Sequence, residues 1–500
     1  MNPAWTEAFR LVFDPYNIVV MLGASVFGLF VGAVPGLTAT MATALLVPVT
    51  FFMAPIPAIA AIVTATAMAI FSGDIPGCLL RMPGTPASAA YTDEAYAMTK
   101  KGQAELALGA GLVFSAVGGL FGTAVLMISA PALAEFALKF SSFEYFWLVL
   151  MGLTCAVFIS SDAPLKGLTT LFIGLLVASV GLNNPAAFPR FTFGNVNMLG
   201  GIGLIPLMIG MFAVSEIIRY MVNTEGEALI VDKPVGNVFK GMWGLAVKYP
   251  VQILRGSTLG TLVGALPGAG ADIAAWMSYA MSKKFSKEPE KFGTGHVEGI
   301  VESGSANNSA LAGAWIPALV FGIPGDSITA IVIGVLYMKN MNPGPTLFTT
   351  NPQNIYAVYL LFIIANLIML PMGWACIKVA KRILRVPRDI LMPVILLFCI
   401  VGAFAINNTG FDVGIMLIAG VVAWMLEENG FPITPLILGV VLGGMLEENF
   451  ISSMIKADGN PLAFFSRPIA ATLGAVTILV WLWPLARRRR RAPAAATAGP

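Results

Sequence analysis

The sequence predicts an all-α polytopic membrane protein of about 10–14 membrane segments, built from two internal repeats, read as inverted, with broken or re-entrant helices. Three observations predict it. The 500 residues are 57% hydrophobic and only 11% charged, with mean hydropathy +0.83. Soluble domains carry about 25% charged residues, so this chain cannot cover a water-facing surface of its own size. Ten apolar runs approach the roughly 20 residues that a spanning helix needs. Finally, a Pro-Gly motif inside the apolar sequence is written twice, as GAVPGL (Gly32 to Leu37) and GALPGA (Gly264 to Ala269).

The full-length runs lie near 17–34, 104–130, 143–161, 165–182, 199–218, 353–375, 389–406, 411–426, 431–446 and 468–486. Half-length apolar pieces lie at 38–53, 57–72, 250–266, 268–282, 305–322 and 327–338. Period-2 alternation is absent, which excludes a β-barrel. Basic residues cluster at Lys100-Lys101, 219–255, Lys283 to Lys291, Lys378 to Arg388 and Arg487 to Arg491, against a net charge of +3. Basic loops stay in the cytoplasm, and four spans separate the last two clusters, so a cytoplasmic C-terminus is expected. The half-length pieces leave the side of the N-terminus open. No basic n-region and small-residue cleavage site precede the first span.

The repeats set the domain organisation. GLFVGAVPGLTATMA (28–42) and GTLVGALPGAGADIA (260–274) match at eight of fifteen positions. MPGTPASA (82–89) is echoed by IPGDSITA (323–330), and PLMIG (206–210), followed by Glu216, by PLILG (435–439), followed by Glu447. Three echoes in one order indicate an internal duplication. The expected parts are membrane repeat 1 over 17–220, a polar basic linker over 221–249, and membrane repeat 2 over 250–450. A further transmembrane helix follows over 468–486, and a basic disordered tail over 487–500. The first two echoes are 48 residues apart in half one (Pro35 to Pro83) and 57 in half two (Pro267 to Pro324). The polar stretch SKKFSKEPEKFGTGHVEG reads as the loop insertion responsible.

Two Pro-Gly breaks per half are the sequence pointer to a secondary transporter with its site at the repeat interface. A broken helix frees N–H groups on one side and C=O groups on the other, and lipid leaves them unsatisfied at a cost of several kcal/mol. Such breaks face protein, water or ligand; free N–H groups attract anions and free carbonyls attract cations. The alternative is that each break is a packing kink. Small hydroxyl residues follow the breaks: Thr38 and Thr40, Thr85 and Ser88, Ser327 and Thr329, with Gly270 and Asp272 at the third.

Ionisable residues at membrane depth default to functional candidates. They are Asp74, Arg81, Asp93, Glu94, Asp272, Glu298, Glu302 and Asp326. Arg81, just before MPGTP, either forks onto a substrate carboxylate or pairs with Asp74 seven residues earlier. Asp326 binds a cation, caps the helix that follows, or does both. Asn307 and Asn308 carry amides able to hold a carboxylate or Na⁺, or to hydrogen-bond between helices. The paired carboxylates of MLEENGF (425–431) and MLEENF (445–450) read as helix-end charges in water. Cys78, Cys155, Cys376 and Cys399 read as small packing residues, and His296 as a solvated loop residue. No phosphate loop of the GxxxxGK[ST] form occurs. An intramembrane enzyme needs a nucleophile–base pair or a metal cluster, which one histidine and scattered cysteines do not supply. A passive channel or scaffold is the competing non-catalytic reading.

GAVPGLTATMATALLVPVTF, MPGTPASAAYTDEAYAM, SKEPEKFGTGHVEGIVESGSANNSALAGAWIPALVFGIPGDS, NPGPTLF and GFPITPLILGVVLGGMLEEN together resemble the TctA family, the large membrane subunit of tripartite tricarboxylate transporters. The resemblance runs in order over about 17–450. It implies a bacterial inner-membrane importer of tricarboxylates or other small organic anions, driven by Na⁺ or H⁺, with no cofactor and no nucleic acid. It implies a small four-helix TctB-like membrane subunit and a periplasmic TctC-like solute-binding protein as partners; a homodimer in the lipid bilayer is a further expectation. Substrate-binding residues are then expected at Pro35, Gly36, Thr38, Arg81, Pro83, Gly84, Thr85, Pro267, Gly268, Asn307, Asn308, Pro324, Gly325 and Ser327. Ion coupling is expected at Asn307, Asn308, Asp326 and Asp272, with Na⁺ a candidate there and no metal cluster. Many members read GGSIxAILLNIPG where this chain reads SGDIPGCLLRMPG, so Asp74, Pro76 and Arg81 depart from the pattern. Many read APEAANN where this chain reads ESGSANN.

Overall fold

A computed structural model describes residues 3–159, 163–182, 188–222, 236–384 and 388–491. The chain is helical: α1 (Pro3–Val12), α2 (Pro15–Ala33), α3 (Ala39–Phe51), α4 (Pro55–Ser72), α5 (Asp74–Leu80), α6 (Thr92–Lys100), α7 (Ala104–Ala137), α8 (Ser142–Ile159), α9 (Pro164–Ala178), α10 (Leu204–Ile209) and α11 (Ser215–Val222) come first. Then follow α12 (Met242–Lys248), α13 (Pro250–Gly264), α14 (Gly270–Phe285), α15 (Val297–Phe321), α16 (Ser327–Met338), α17 (Leu347–Thr350), α18 (Pro352–Ile383), α19 (Arg388–Asn407), α20 (Gly410–Glu428), α21 (Thr434–Lys456) and α22 (Pro468–Arg491). Proline opens many of them, where its missing N–H costs nothing and its fixed φ suits the first turn. It does so in α2, α4, α9, α13 and α18.

Eight helices among the described residues are long and apolar enough to cross a membrane: Pro15–Ala33, Pro55–Leu80, Ala104–Ala137, Leu204–Val222, Pro352–Ala380, Ile390–Asn407, Gly410–Glu428 and Thr434–Lys456. Ala39–Phe51, Ser142–Val157, Pro164–Ala178, Ser327–Met338 and Pro468–Trp481 are shorter apolar helices. The chain is therefore a multi-pass membrane protein. The five terminal arginines continue α22 as helix. Of the expected tail, 492–500 lies outside the described residues, as does 223–235 of the expected linker.

The chain divides into two compact units, Met1–Leu138 with Gly203–Ile433, and Lys139–Ile202 with Thr434–Pro500. In the first, α4 and α15 are central; every residue of α15 from Glu298 to Val320 is buried. Small residues let neighbours approach to backbone contact, the membrane substitute for a hydrophobic driving force. A Cβ at Gly28 or Gly32 of α2 would stand 2.2 or 2.3 Å from the carbonyl oxygens of Ala65 and Ala69 on α4. A Cβ at Gly260 or Gly264 of α13 would stand 2.2 Å from those of Ala306 and Ala310 on α15. On α7, a Cβ at Gly118 would stand 2.0 Å from the Ser305 oxygen. A π-turn at Gly210–Val214 joins α10 to α11, with Gly210 seated on the Met416 carbonyl of α20.

In the second unit, Gly174 of α9 seats on the Leu436 carbonyl of α21. The Trp147 indole donates to the Phe464 carbonyl at 2.9 Å, and Arg467 pairs with the fully buried Glu144 at 2.9 Å.

Candidate functional site

Each helix break is a local consequence of Pro-Gly chemistry. α2 stops at Ala33; Pro35 supplies no donor, and Gly36 takes φ +86°. Thr38 then caps α3 by accepting from the Met41 N–H at 3.1 Å. The third break repeats the left-handed glycine, with Gly268 at φ +83°, but Ala269 gives α14 no side-chain cap. Left-handed φ suits glycine because it lacks a Cβ.

The second and fourth breaks share a different turn. α5 ends with Arg81 at φ +61°, its N–H bonded to Gly77 O (3.2 Å) and the Met82 N–H to Pro76 O (3.4 Å). α15 ends with Gly322 at φ +69°, its N–H bonded to Ala318 O (3.2 Å) and the Ile323 N–H to Pro317 O (3.3 Å). Both are Schellman-type ends. Thr85 and Ser88 then exchange backbone-to-hydroxyl bonds at 3.1 Å each way. At the fourth break Asp326 caps α16, accepting from the Thr329 N–H at 2.8 Å in a capping box. The capping role expected for Asp326 is thus observed.

The breaks meet in space. A Cβ at Gly84 would stand 2.6 Å from the Gly32 oxygen, and one at Gly325 would stand 2.4 Å from the Gly264 oxygen. The Gly84 N–H donates to Gly73 O at 3.0 Å and the Gly268 N–H to Gly325 O at 2.8 Å. Across the pairs, the Ala87 N–H donates to Asp272 Oδ1 at 3.0 Å and the Trp276 indole to Pro86 O at 3.1 Å. Gly270, at φ +60°, lies against Asp326, to whose Cβ its own Cβ would come within 2.7 Å. Gly84, Thr85, Gly268, Pro324 and Gly325 are buried there; Thr38, Pro267, Asp326 and Ser327 are partly exposed, and Gly36, Pro83 and Asp272 are open. The contacts of Asp272 and Asp326 are N–H groups and the Thr329 hydroxyl, so this junction carries two carboxylates held by neutral donors.

Not every expected residue joins it. Arg81 does not pair with Asp74; its Nε lies 2.9 Å from Asp93 Oδ1, with both side chains about two-thirds exposed. The left-handed turn at Arg81 aims the side chain away from the helix face that carries Asp74. Asn307 and Asn308 belong to a deeper layer. Asn307, fully buried, donates to Tyr91 Oη at 3.5 Å, and Asn308 to the Met369 sulfur at 3.5 Å. Tyr91 in turn donates to Asp74 Oδ1 at 2.6 Å. Asp74 Oδ2, Asn307 Oδ1, Asn308 Oδ1 and Asn366 Oδ1 are buried without a hydrogen-bond partner. Tyr91 carries no sequence signal of its own; only its place in a short connection after a break hints at it.

Other candidates are absorbed by structure. Glu302, fully buried, receives both Nε (2.6 Å) and Nη2 (2.5 Å) of Arg255. Glu298 accepts from Gln252 (2.8 Å) and Ser286 (2.6 Å). Glu94, fully buried, accepts from the Tyr279 hydroxyl (2.8 Å) and from the N–H groups of Gly293, Gly295 (2.7 Å) and His296 (2.8 Å). That grip turns His296 inward: its side chain is 11% exposed, with Nε2 3.0 Å from Glu298 Oε2, rather than solvated. The helix-end carboxylates find arginines: Glu427 and Glu216 with Arg219, and Glu447 with Arg190 at 2.5 Å. Cys78, Cys376 and Cys399 are buried free thiols.

The fold thus defines a multi-pass membrane protein whose helices are broken at four Pro-Gly sites. The chain belongs to the family described as "Tripartite tricarboxylate transporter TctA family", which matches residues 18–438. Among curated proteins it is 33% identical over 485 residues to the "Uncharacterized 52.8 kDa protein in TAR-I ttuC' 3'region" of Agrobacterium vitis, covering 96% of each chain. It is 35% identical over 234 residues to the "Uncharacterized protein in TAR-II ttuC' 3'region" of the same organism, covering 46% of this chain and 97% of the relative. No solved structure matches.

Proposed function

We propose that the chain is the permease subunit of a binding-protein-dependent importer of small organic anions in a bacterial inner membrane. A cation gradient, of Na⁺ or H⁺, drives it. The solute binds where the four breaks converge, at Thr38, Gly84, Thr85, Gly268, Gly325 and Ser327, and the cation binds beside it near Asp272 and Asp326. The observation that carries this reading is the bond from the Ala87 N–H to Asp272, which ties the second break to the third. Backbone donors draw a carboxylate, and two carboxylates offset the charge of a co-transported cation.

The halves are read as duplicates. The contacts of Gly32 with Ala69 and of Gly84 with Gly73 have counterparts in Gly264 with Ala310 and Gly325 with Ala314. The importer works with a TctB-like subunit and a TctC-like binding protein, a reading the tripartite description of the family supports, and its C-terminus lies in the cytoplasm, a reading the basic clusters support. The test is uptake of labelled tri- and dicarboxylates by right-side-out vesicles carrying this chain with both partners. Accumulation above the external level, abolished by ionophores, is expected. Equilibration without accumulation identifies a channel and overturns the reading.

A further inference from the structure

The buried carboxyl of Asp74 is used neither by the break loops nor by an ion pair, and one of its oxygens has no partner. Asp74 is 5% exposed and lies within the apolar span Pro55–Leu80. Its Oδ1 accepts from the Tyr91 hydroxyl at 2.6 Å, and its Oδ2 has no partner. On α7 the facing residue is Gly111, where a Cβ would stand 2.7 Å from Oδ2. The carboxyl therefore occupies space that a missing side chain leaves.

The groups around it are few. α5 brings the Cys78 thiol, which is engaged with Thr99 and the Ala95 carbonyl. Tyr91 lies at the entry to α6, while Glu94 on α6 is engaged by Tyr279 and the loop before α15. α7 contributes Gly111, and α15 contributes the neutral amide of Asn307 through Tyr91. None of these is a cation. An isolated carboxylate in a low-dielectric interior is strongly disfavoured unless a positive charge neutralises it. A metal cation needs a shell of several oxygens. A proton needs one oxygen, and Oδ2 is one open oxygen in a tightly packed place.

We propose that Asp74 is the proton-binding residue of this permease, with Tyr91 its positioning residue and Asn307 the link to α15. The proposal rests on the transport reading and adds a proton site, at Asp74, to the cation site placed near Asp272 and Asp326. On binding, a hydronium ion gives up a proton, its O–H bond breaking as one forms at Oδ2, while the Tyr91 hydroxyl keeps donating to Oδ1. On release that O–H bond breaks and the proton passes to water. Asn307 donates to the same Tyr91 oxygen, so the charge on Asp74 bears on the helix that ends at the fourth break.

The test is infrared difference spectroscopy of the purified full chain in nanodiscs, titrated from alkaline to acid pH in H₂O and D₂O. The wild type should gain a carboxylic-acid C=O band that shifts in D₂O. Asp74→Asn, close to isosteric, should lack that band, and Tyr91→Phe should keep it at a displaced frequency. Identical difference spectra for wild type and Asp74→Asn across the range overturn the proposal. In vesicles, an imposed pH gradient should raise wild-type uptake, and Asp74→Asn should lose at least tenfold of that response. Wild-type uptake driven by Na⁺ alone, indifferent to pH gradient, also overturns it and leaves the transport reading standing. A titrating Asp74 band in a chain that moves no carboxylate would uphold the proton site and sink the transport reading instead.

Discussion

The Ala87 N–H and the Asp272 carboxylate lie 3.0 Å apart, although 185 positions separate them in sequence. The residue that follows a proline break in one half thus holds the start of a helix in the other. Asp272→Ala leaves the buried Ala87 N–H unmet and removes a charge-assisted bond, so stability should fall by about 1.5–3 kcal/mol. Asp272→Asn keeps an acceptor oxygen and should stay within about 1 kcal/mol of wild type while losing cation-driven uptake. Thermal unfolding in detergent separates the two; equal stability of all three proteins would deny the bond any structural role.

Glycine is required sterically where Gly84 meets the Gly32 carbonyl and Gly325 meets that of Gly264. Gly84→Ala and Gly325→Ala each place a methyl against backbone oxygen, and overpacking of this kind costs about 1–3 kcal/mol. Gly244→Ala on α12 is the control, since nothing lies within 4 Å of its new Cβ. It should gain up to about 1 kcal/mol from helix propensity. A Gly84 variant as stable as the Gly244 variant would contradict the packing.

Arg81 holds a left-handed conformation that its counterpart in the fourth break gives to Gly322. A non-glycine residue there carries about 1–2 kcal/mol of strain, and an ion pair this exposed returns less than about 1 kcal/mol. Arg81→Gly should therefore raise the melting temperature slightly or leave it unchanged. Because the fold survives, its uptake reads the guanidinium alone: loss of uptake places Arg81 on the solute path, and wild-type uptake removes it from the site.

Glu302 is fully buried and Arg255 is its cation. Arg255→Met strands a charge and should cost about 3–5 kcal/mol. Arg255→Met with Glu302→Gln should recover most of that loss, as a double-mutant cycle would register. No recovery would mean that Arg255 acts through packing, for instance its stacking over Phe285 at 5.3 Å.

Hydropathy located most helices because lipid-facing and core-facing turns are both apolar. The piece expected at 327–338 is Ser327–Met338, and the run expected at 104–130 continues to Ala137. It underestimated α15, expected from 305 and found from Val297, because ESGSANN is polar yet buried on every side by small-residue neighbours. Hydropathy likewise ended the piece expected at 57–72 before α5, although the apolar span runs from Pro55 to Leu80 across the charged Asp74. In the site, the breaks were legible from Pro-Gly chemistry and their echo. Which break touches which was not, since backbone-to-backbone contacts such as Gly84 on Gly32 leave no side-chain pattern. The partnership of Tyr91 with Asp74 is equally silent, since a break and a short connection lie between them and helical spacing no longer relates their directions.

Glu94 grips the Phe292–His296 loop by main-chain N–H groups and not by its side chains. The shape of that loop is therefore encoded at a distance, in one acidic residue of the other half. Of its own letters, Gly293 and Gly295 are held by left-handed φ (+89° and +99°) and Phe292 and His296 by packing, while Thr294 can change identity without unseating it, provided Glu94 stays. A segment held this way is a natural place for lineages to diversify an outer surface while the machinery beneath keeps its register.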